Sequence, residues 1–179
     1  MGNRICFNSE STQEGIRDLD LKMTNGGTSV FINVLCLSGG RLAETESQKR
    51  FMVFLAEQNQ EIYGSGTIGF DIVEMPWDKN SFGEDKAFML RVIEGARKKL
   101  GWETLLRYTP NEERVYDDLS KFQKLIERMT ADDIIEASLS EWLSDISKSA
   151  EKDPIRCGFP KCKIHDAYIG VYGCQICME

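Results

Sequence analysis

Four of the six cysteines and the sole histidine of this chain lie between positions 157 and 177, and no other feature restricts its folding as tightly. Two residues separate Cys162 from His165, and two separate Cys174 from Cys177. A two-residue spacer lets the backbone turn back, so that both side chains of a pair face one point. Two such pairs supply four sulfur or nitrogen donors, the number a tetrahedral zinc ion takes. Between the pairs, Tyr168, Ile169, Val171 and Tyr172 are interrupted by Gly170 and Gly173, a pattern suited to a short hairpin linking two halves of a site. So short a segment cannot bury a core of its own, and a metal is the expected substitute.

Cys157 is a fifth donor for four places, at a C-x4-C spacing from Cys162. The spacing favours Cys162, His165, Cys174 and Cys177, and the alternative set puts Cys157 in place of His165. This tail resembles zinc ribbons and treble-clef fingers as general classes, through its paired spacings and over the tail alone. Four protein ligands leave no position for water or substrate, so the zinc is expected to be structural. Committing His165 to the metal also withdraws the only histidine from catalysis, which argues against an enzyme.

The remainder reads as one α+β domain, residues 1–149, followed by the polar stretch Ser147–Pro154 and the metal-binding tail, residues 154–179. In a chain of 179 residues, 41% hydrophobic residues and 28% charged ones are enough to bury a full core without a metal. Leu19, Leu21 and Met23 alternate with Asp18, Asp20 and Lys22 as in a half-exposed strand, with residues 4–7 as a short edge strand. Asn25-Gly26-Gly27 then suggests a hairpin into an apolar strand from Val30 to Leu37. With a helix over 45–62 and a strand over 67–75, that run would complete a βαβ unit and a small mixed sheet. Residues 103–108 suggest a further short strand.

Four main helices are expected from their caps. Thr45 with Gln48, Ser81 with Glu84, Thr109 with Glu112 behind Pro110, and Thr130 with Asp133 all have capping-box spacing. The last two helices are expected to fold back on each other as an antiparallel hairpin.

Other candidate sites favour structural readings. Cys36 and Arg41 bracket Gly39 and Gly40, which would suit an anion-binding strand-to-helix loop; a buried cysteine beside a glycine turn is the simpler account. Asp71, Glu74 and Asp78 surround an expected strand without a partner for acid–base work. Arg97, Lys98 and Lys99 complement a helix C-terminus. Arg156, Lys161 and Lys163 make the tail locally basic, but Glu151, Asp153 and Asp166 offset them. A net charge of −7 disfavours nucleic acid as a partner and suits a basic protein, as for an antitoxin or immunity protein. The absence of an apolar leader, of a membrane-length apolar run and of a reason to pair the cysteines points to a reducing, cytoplasmic location. The expected function is therefore a non-enzymatic, zinc-containing protein-interaction module. The alternatives are a nucleic-acid binder acting through the tail and an enzyme using the 36–41 loop.

Overall fold

The structure, a computed structural model, describes residues 3–8, 17–60, 66–149 and 153–177. Among these residues it is a mixed fold of five α-helices and very short antiparallel strand pairs. Helix α1 (Asn25–Leu42) lies in the centre, packed against α2 (Glu46–Glu57), α3 (Phe82–Arg97) and α4 (Glu112–Arg128). The fifth helix, α5 (Glu136–Ser149), reaches α2 through Trp142, whose ring stands edge-on to Phe54 at 5.9 Å.

The run expected to be a strand, residues 30–37, is the middle of α1. Asn25, Gly26 and Gly27 form the first helical turn instead of a hairpin, and the βαβ unit disappears with the strand. Thr24 caps this helix, its hydroxyl accepting the Gly27 amide at 3.1 Å. Every residue from Phe31 to Leu37 is at most 1% exposed. A helix buried on all sides loses the polar stripe that marks a helix in sequence, and then resembles a buried strand. Its Val and Ile residues favour a strand by about 1 kcal/mol at most, whereas burying each large apolar side chain contributes roughly 1.5–3 kcal/mol. Packing therefore outvotes propensity here.

Strands β1 (Asn3–Ile5) and β2 (Leu21–Met23) do pair, antiparallel, with Ile5 opposite Leu21. The expected strand over 67–75 is reduced to β4 (Gly66–Thr67), paired with β3 (Asn59–Gln60), and a single parallel bridge between Asp71 and Cys6. A 3-10 turn at Ile72–Glu74 follows, held by Trp77, whose indole N–H donates to the Ile72 carbonyl at 2.7 Å. Residues 103–108 form no strand: a 3-10 turn, Trp102–Thr104, leads into a loop.

Of the four expected caps, Thr45 and Gln48 form the full reciprocal box on α2. This helix stops at Glu57, and the expected end at residue 62 lies outside the described residues. Ser81 is the N-cap of α3, but its hydroxyl bonds the Asp85 carboxylate rather than a backbone amide. Asn111, not Thr109, caps α4, accepting the Arg114 amide at 3.0 Å. The Thr130–Asp133 box closes a 3-10 turn ahead of α5. The last two helices take different partners, α4 on α1 and α3 and α5 on α2, in place of the expected helical hairpin.

Residues 153–177 fold back onto the ends of α1 and α2. Phe159, Ala167, Tyr168, Cys174 and Ile176 belong to the same buried cluster as the helical core. Gly40 makes the approach possible, since a Cβ there would overlap the Asp166 carbonyl; at Gly39 it would overlap the Met52 side chain. Both glycines cost helix stability, about 1 kcal/mol each relative to alanine, and that cost is offset by close packing. The Tyr168 hydroxyl reaches the Ala43 carbonyl at 3.4 Å, and the Glu57 carboxylate accepts the Val171 amide at 2.5 Å.

Candidate metal centre

The tail is built from two tight turns on a hairpin. The Cys162 amide donates to the Ala167 carbonyl at 2.9 Å and the Ile169 amide to Pro160 at 3.1 Å, so the strands flanking the first turn are paired. Gly170 and Gly173 exchange amide–carbonyl bonds at 3.1 and 3.0 Å, closing a second, tighter reversal. Gly173 needs its φ of +98°, a conformation that glycine alone adopts cheaply. This hairpin delivers the two pairs of donors to one point.

The two pairs share one local geometry. The sulfur of Cys162 is approached by the amides of Ile164 and His165, and that of Cys174 by those of Ile176 and Cys177. In each pair the donors stand two and three residues beyond the accepting cysteine. The first turn is closed by the Asp166 amide on the Cys162 carbonyl at 2.9 Å, with Asp166 itself at φ +53°. Amide dipoles aimed at sulfur favour the thiolate, the form that binds metal.

Cys162, His165, Cys174 and Cys177 form a geometry able to hold a metal ion, their ligand atoms all within 4.8 Å of one another. The Nδ1 atom of His165 lies 3.6 Å from the Cys162 sulfur, 3.5 Å from Cys174 and 3.4 Å from Cys177; the sulfurs of Cys162 and Cys177 are 3.6 Å apart. Bonds of about 2.3 Å to sulfur and 2.0–2.1 Å to nitrogen at tetrahedral angles require edges of about 3.8 Å between sulfurs and about 3.5 Å from sulfur to nitrogen. The observed edges agree to within a few tenths of an ångström, so the donor set is compatible with zinc. The cysteines are free thiols, with no disulfide among them. Cys157 is exposed and stands outside the cluster, so the alternative set with Cys157 in place of His165 does not assemble.

Burial makes this cluster poor at holding charge by itself. It pushes the Cys174 thiol up to about 12 and raises Cys177 as well. Burial acts in the same direction on Cys162, but the amides of His165 and Ile164 reverse it and the net shift is downward. A cation therefore has to displace protons to bind, and its affinity falls as pH falls.

The fold supports the centre from behind. Arg41, in the last turn of α1, donates to the His165 carbonyl at 3.2 Å and to the Leu37 carbonyl at 3.0 Å, and pairs with Glu103 at 3.2 Å. In the sequence Arg41 only ends the less favoured anion-loop alternative; in the structure it holds the His165 carbonyl. Cys36, Gly39 and Gly40 are buried inside α1, so the strand-to-helix loop of the enzyme alternative does not form. Burial raises the Cys36 thiol well above its usual range, the opposite of an activated nucleophile.

The remaining candidate sites are occupied structurally. Asp71 accepts the Cys6 thiol at 2.8 Å, and Asp78 caps the turn to Asn80. The basic run disperses, with Arg97 on Gln123 and Ser120, Lys98 on Glu94 and Lys99 on Glu112. In the tail, Arg156 pairs with Asp153 and Lys161 with Asp166. Leu106, Arg107 and Ile164, which border the centre, carry no motif in the sequence and are visible only once the chain is folded.

Comparisons with protein-family models, with curated proteins and with solved structures gave no match.

Proposed function

We propose that this chain is a non-enzymatic zinc protein whose metal is structural and whose role is to bind another protein. The observation that carries the zinc reading is the near-tetrahedral set of three sulfurs and one imidazole nitrogen, with amides directed at the first sulfur of each pair. Three thiolates and a neutral imidazole suit zinc among the common divalent ions. With four protein donors the ion has no open position for substrate, so it would fix residues 153–177 against the ends of α1 and α2.

A protein partner fits better than nucleic acid. The chain is acidic, and two of the three basic side chains that made the tail attractive to phosphate are paired with carboxylates. No helix among the described residues is long and apolar enough to cross a membrane. The free thiols suit a reducing compartment such as the cytoplasm.

Chelation followed by amide hydrogen exchange tests the structural role. Removing the metal is expected to release protection across residues 153–177 while α3 and α4 keep theirs. Unchanged protection in the tail contradicts the proposal.

A further inference from the structure

Three large apolar side chains stand well exposed among the described residues: Leu106 at 79%, Ile164 at 59% and Ile135 at 44%. Single exposed apolar residues are ordinary, but adjoining ones mark interaction surfaces. Leu106 and Ile164 line the same cleft, about 190 Å³ in volume, together with Leu105, Arg107, Tyr108 and Ile176, and the ligands His165 and Cys177 form part of its wall.

The metal pairs build one side of this cleft. Ile164 and Ile176 occupy equivalent positions, each directly before the second ligand of its pair. Ile176 is 4% exposed and provides the floor, whereas Ile164 provides the rim. The opposite side is the loop after the Trp102–Thr104 turn, anchored where the Asn33 side chain of α1 donates to the Tyr108 hydroxyl at 3.2 Å. Both walls are therefore held before any partner arrives, which lowers the entropic cost of docking.

Charge identifies the occupant. In a chain of net charge −7, Arg107 is exposed on the cleft wall and has no carboxylate partner among the described residues; neither has Lys163, the chain neighbour of Ile164. Arg107 lines the same cleft as Cys177. Its guanidinium offers a planar fork of donors, the geometry that grips a carboxylate through two bonds. The volume sets the scale, since small-molecule sites occupy about 300–1,000 Å³ and this cleft holds little more than one large side chain.

The geometry points to a docking site for a short acidic–hydrophobic segment of a partner protein. One aliphatic or aromatic side chain enters between Leu106 and Ile164, and a neighbouring Asp or Glu pairs with Arg107. This inference rests on the interaction reading above and locates it, with an acidic segment at Arg107 in place of the basic partner that net charge alone suggests. Arg107 and Tyr108, which share the cleft, are of the residue types enriched in binding hot spots. Ile164 lies between Cys162 and His165, so a metal held by that pair would steady this rim of the cleft.

Panning a library of random linear peptides against the zinc-loaded full chain tests the site, with Leu106→Ser and Arg107→Glu as counter-targets. Neither residue is a ligand, so both variants should retain their zinc. Enriched peptides are expected to carry a large apolar residue beside Asp or Glu, and to bind either variant about tenfold or more weakly by fluorescence anisotropy. Replacing the peptide's acidic residue by lysine should restore binding to Arg107→Glu, a gain that misfolding cannot produce. Peptides that bind both variants as well as the parent would overturn this site while leaving an interaction role elsewhere. A library that enriches nothing would overturn both. Retention of phosphatidylserine vesicles or RNA through Arg107, with no peptide bound, would overturn the assignment to a protein partner.

Discussion

Replacing Glu57 by glutamine should make the protein more stable at neutral and alkaline pH while leaving it unchanged in acid. Glu57 ends α2 beneath the hairpin, its carboxylate accepting the Val171 amide, with Asp145, Trp142 and Tyr172 around the same pocket. Burial raises its pKa from 4.5 to about 7, and the Val171 amide only partly opposes the shift. A carboxyl group with a raised pKa binds its proton more tightly in the folded state. Between pH 4.5 and 7 the folded chain therefore holds more protons than the unfolded one, and stability falls as pH rises. At 1.36 kcal/mol per pH unit the full loss has a ceiling of about 3 kcal/mol, reached once both states are ionised. Glutamine keeps the acceptor for Val171 and removes the charge. The assay is denaturant unfolding of parent and Glu57→Gln with zinc present, at several pH values on both sides of this window. Metal affinity also varies with pH, but it varies in both proteins and cancels in their difference. That difference should be near zero below pH 4.5 and grow in favour of glutamine up to pH 7. A difference that is flat with pH, or that grows towards acid, would refute the reasoning.

Cys157→Ser should leave zinc content and tail protection unchanged, because Cys157 is exposed and outside the donor set; elemental analysis checks this. Gly40→Ala forces a Cβ against the Asp166 carbonyl. Despite alanine's better helix propensity, it should destabilise the protein by about 1–3 kcal/mol in denaturant titrations and speed zinc loss to a chelator. Arg41→Met keeps the aliphatic stem but removes the donor to the His165 carbonyl. The expected cost is about 1–3 kcal/mol, with faster zinc release and an unchanged ligand set.

The parts of this molecule that sequence conveyed are those governed by local chemistry. Thr45 and Gln48 satisfy each other's backbone within four residues, so their box could be read directly and it formed. The grouping of Cys162, His165, Cys174 and Cys177 was legible for the same reason, because a two-residue spacer has few ways to present two donors. Helix α1 was illegible because its environment is buried on every side, and its apolar run has no period to read. The strong Asn-Gly turn signal then misled, since Thr24 and the packing of three helices hold those glycines in a helical turn. Arg41 and Gly40 acquire their roles from contacts with residues more than a hundred positions away. The cleft combines Leu106 with Ile164, residues of separate elements, and neither stands out in its own neighbourhood.

X-ray absorption at the zinc edge, on the purified full chain with its metal content measured alongside, tests the central claim most directly. The account predicts about one zinc per chain, with three sulfurs at about 2.3 Å and one nitrogen at about 2.0–2.1 Å. A four-sulfur shell, an oxygen in place of a protein donor, or metal-free protein with oxidised cysteines would contradict it.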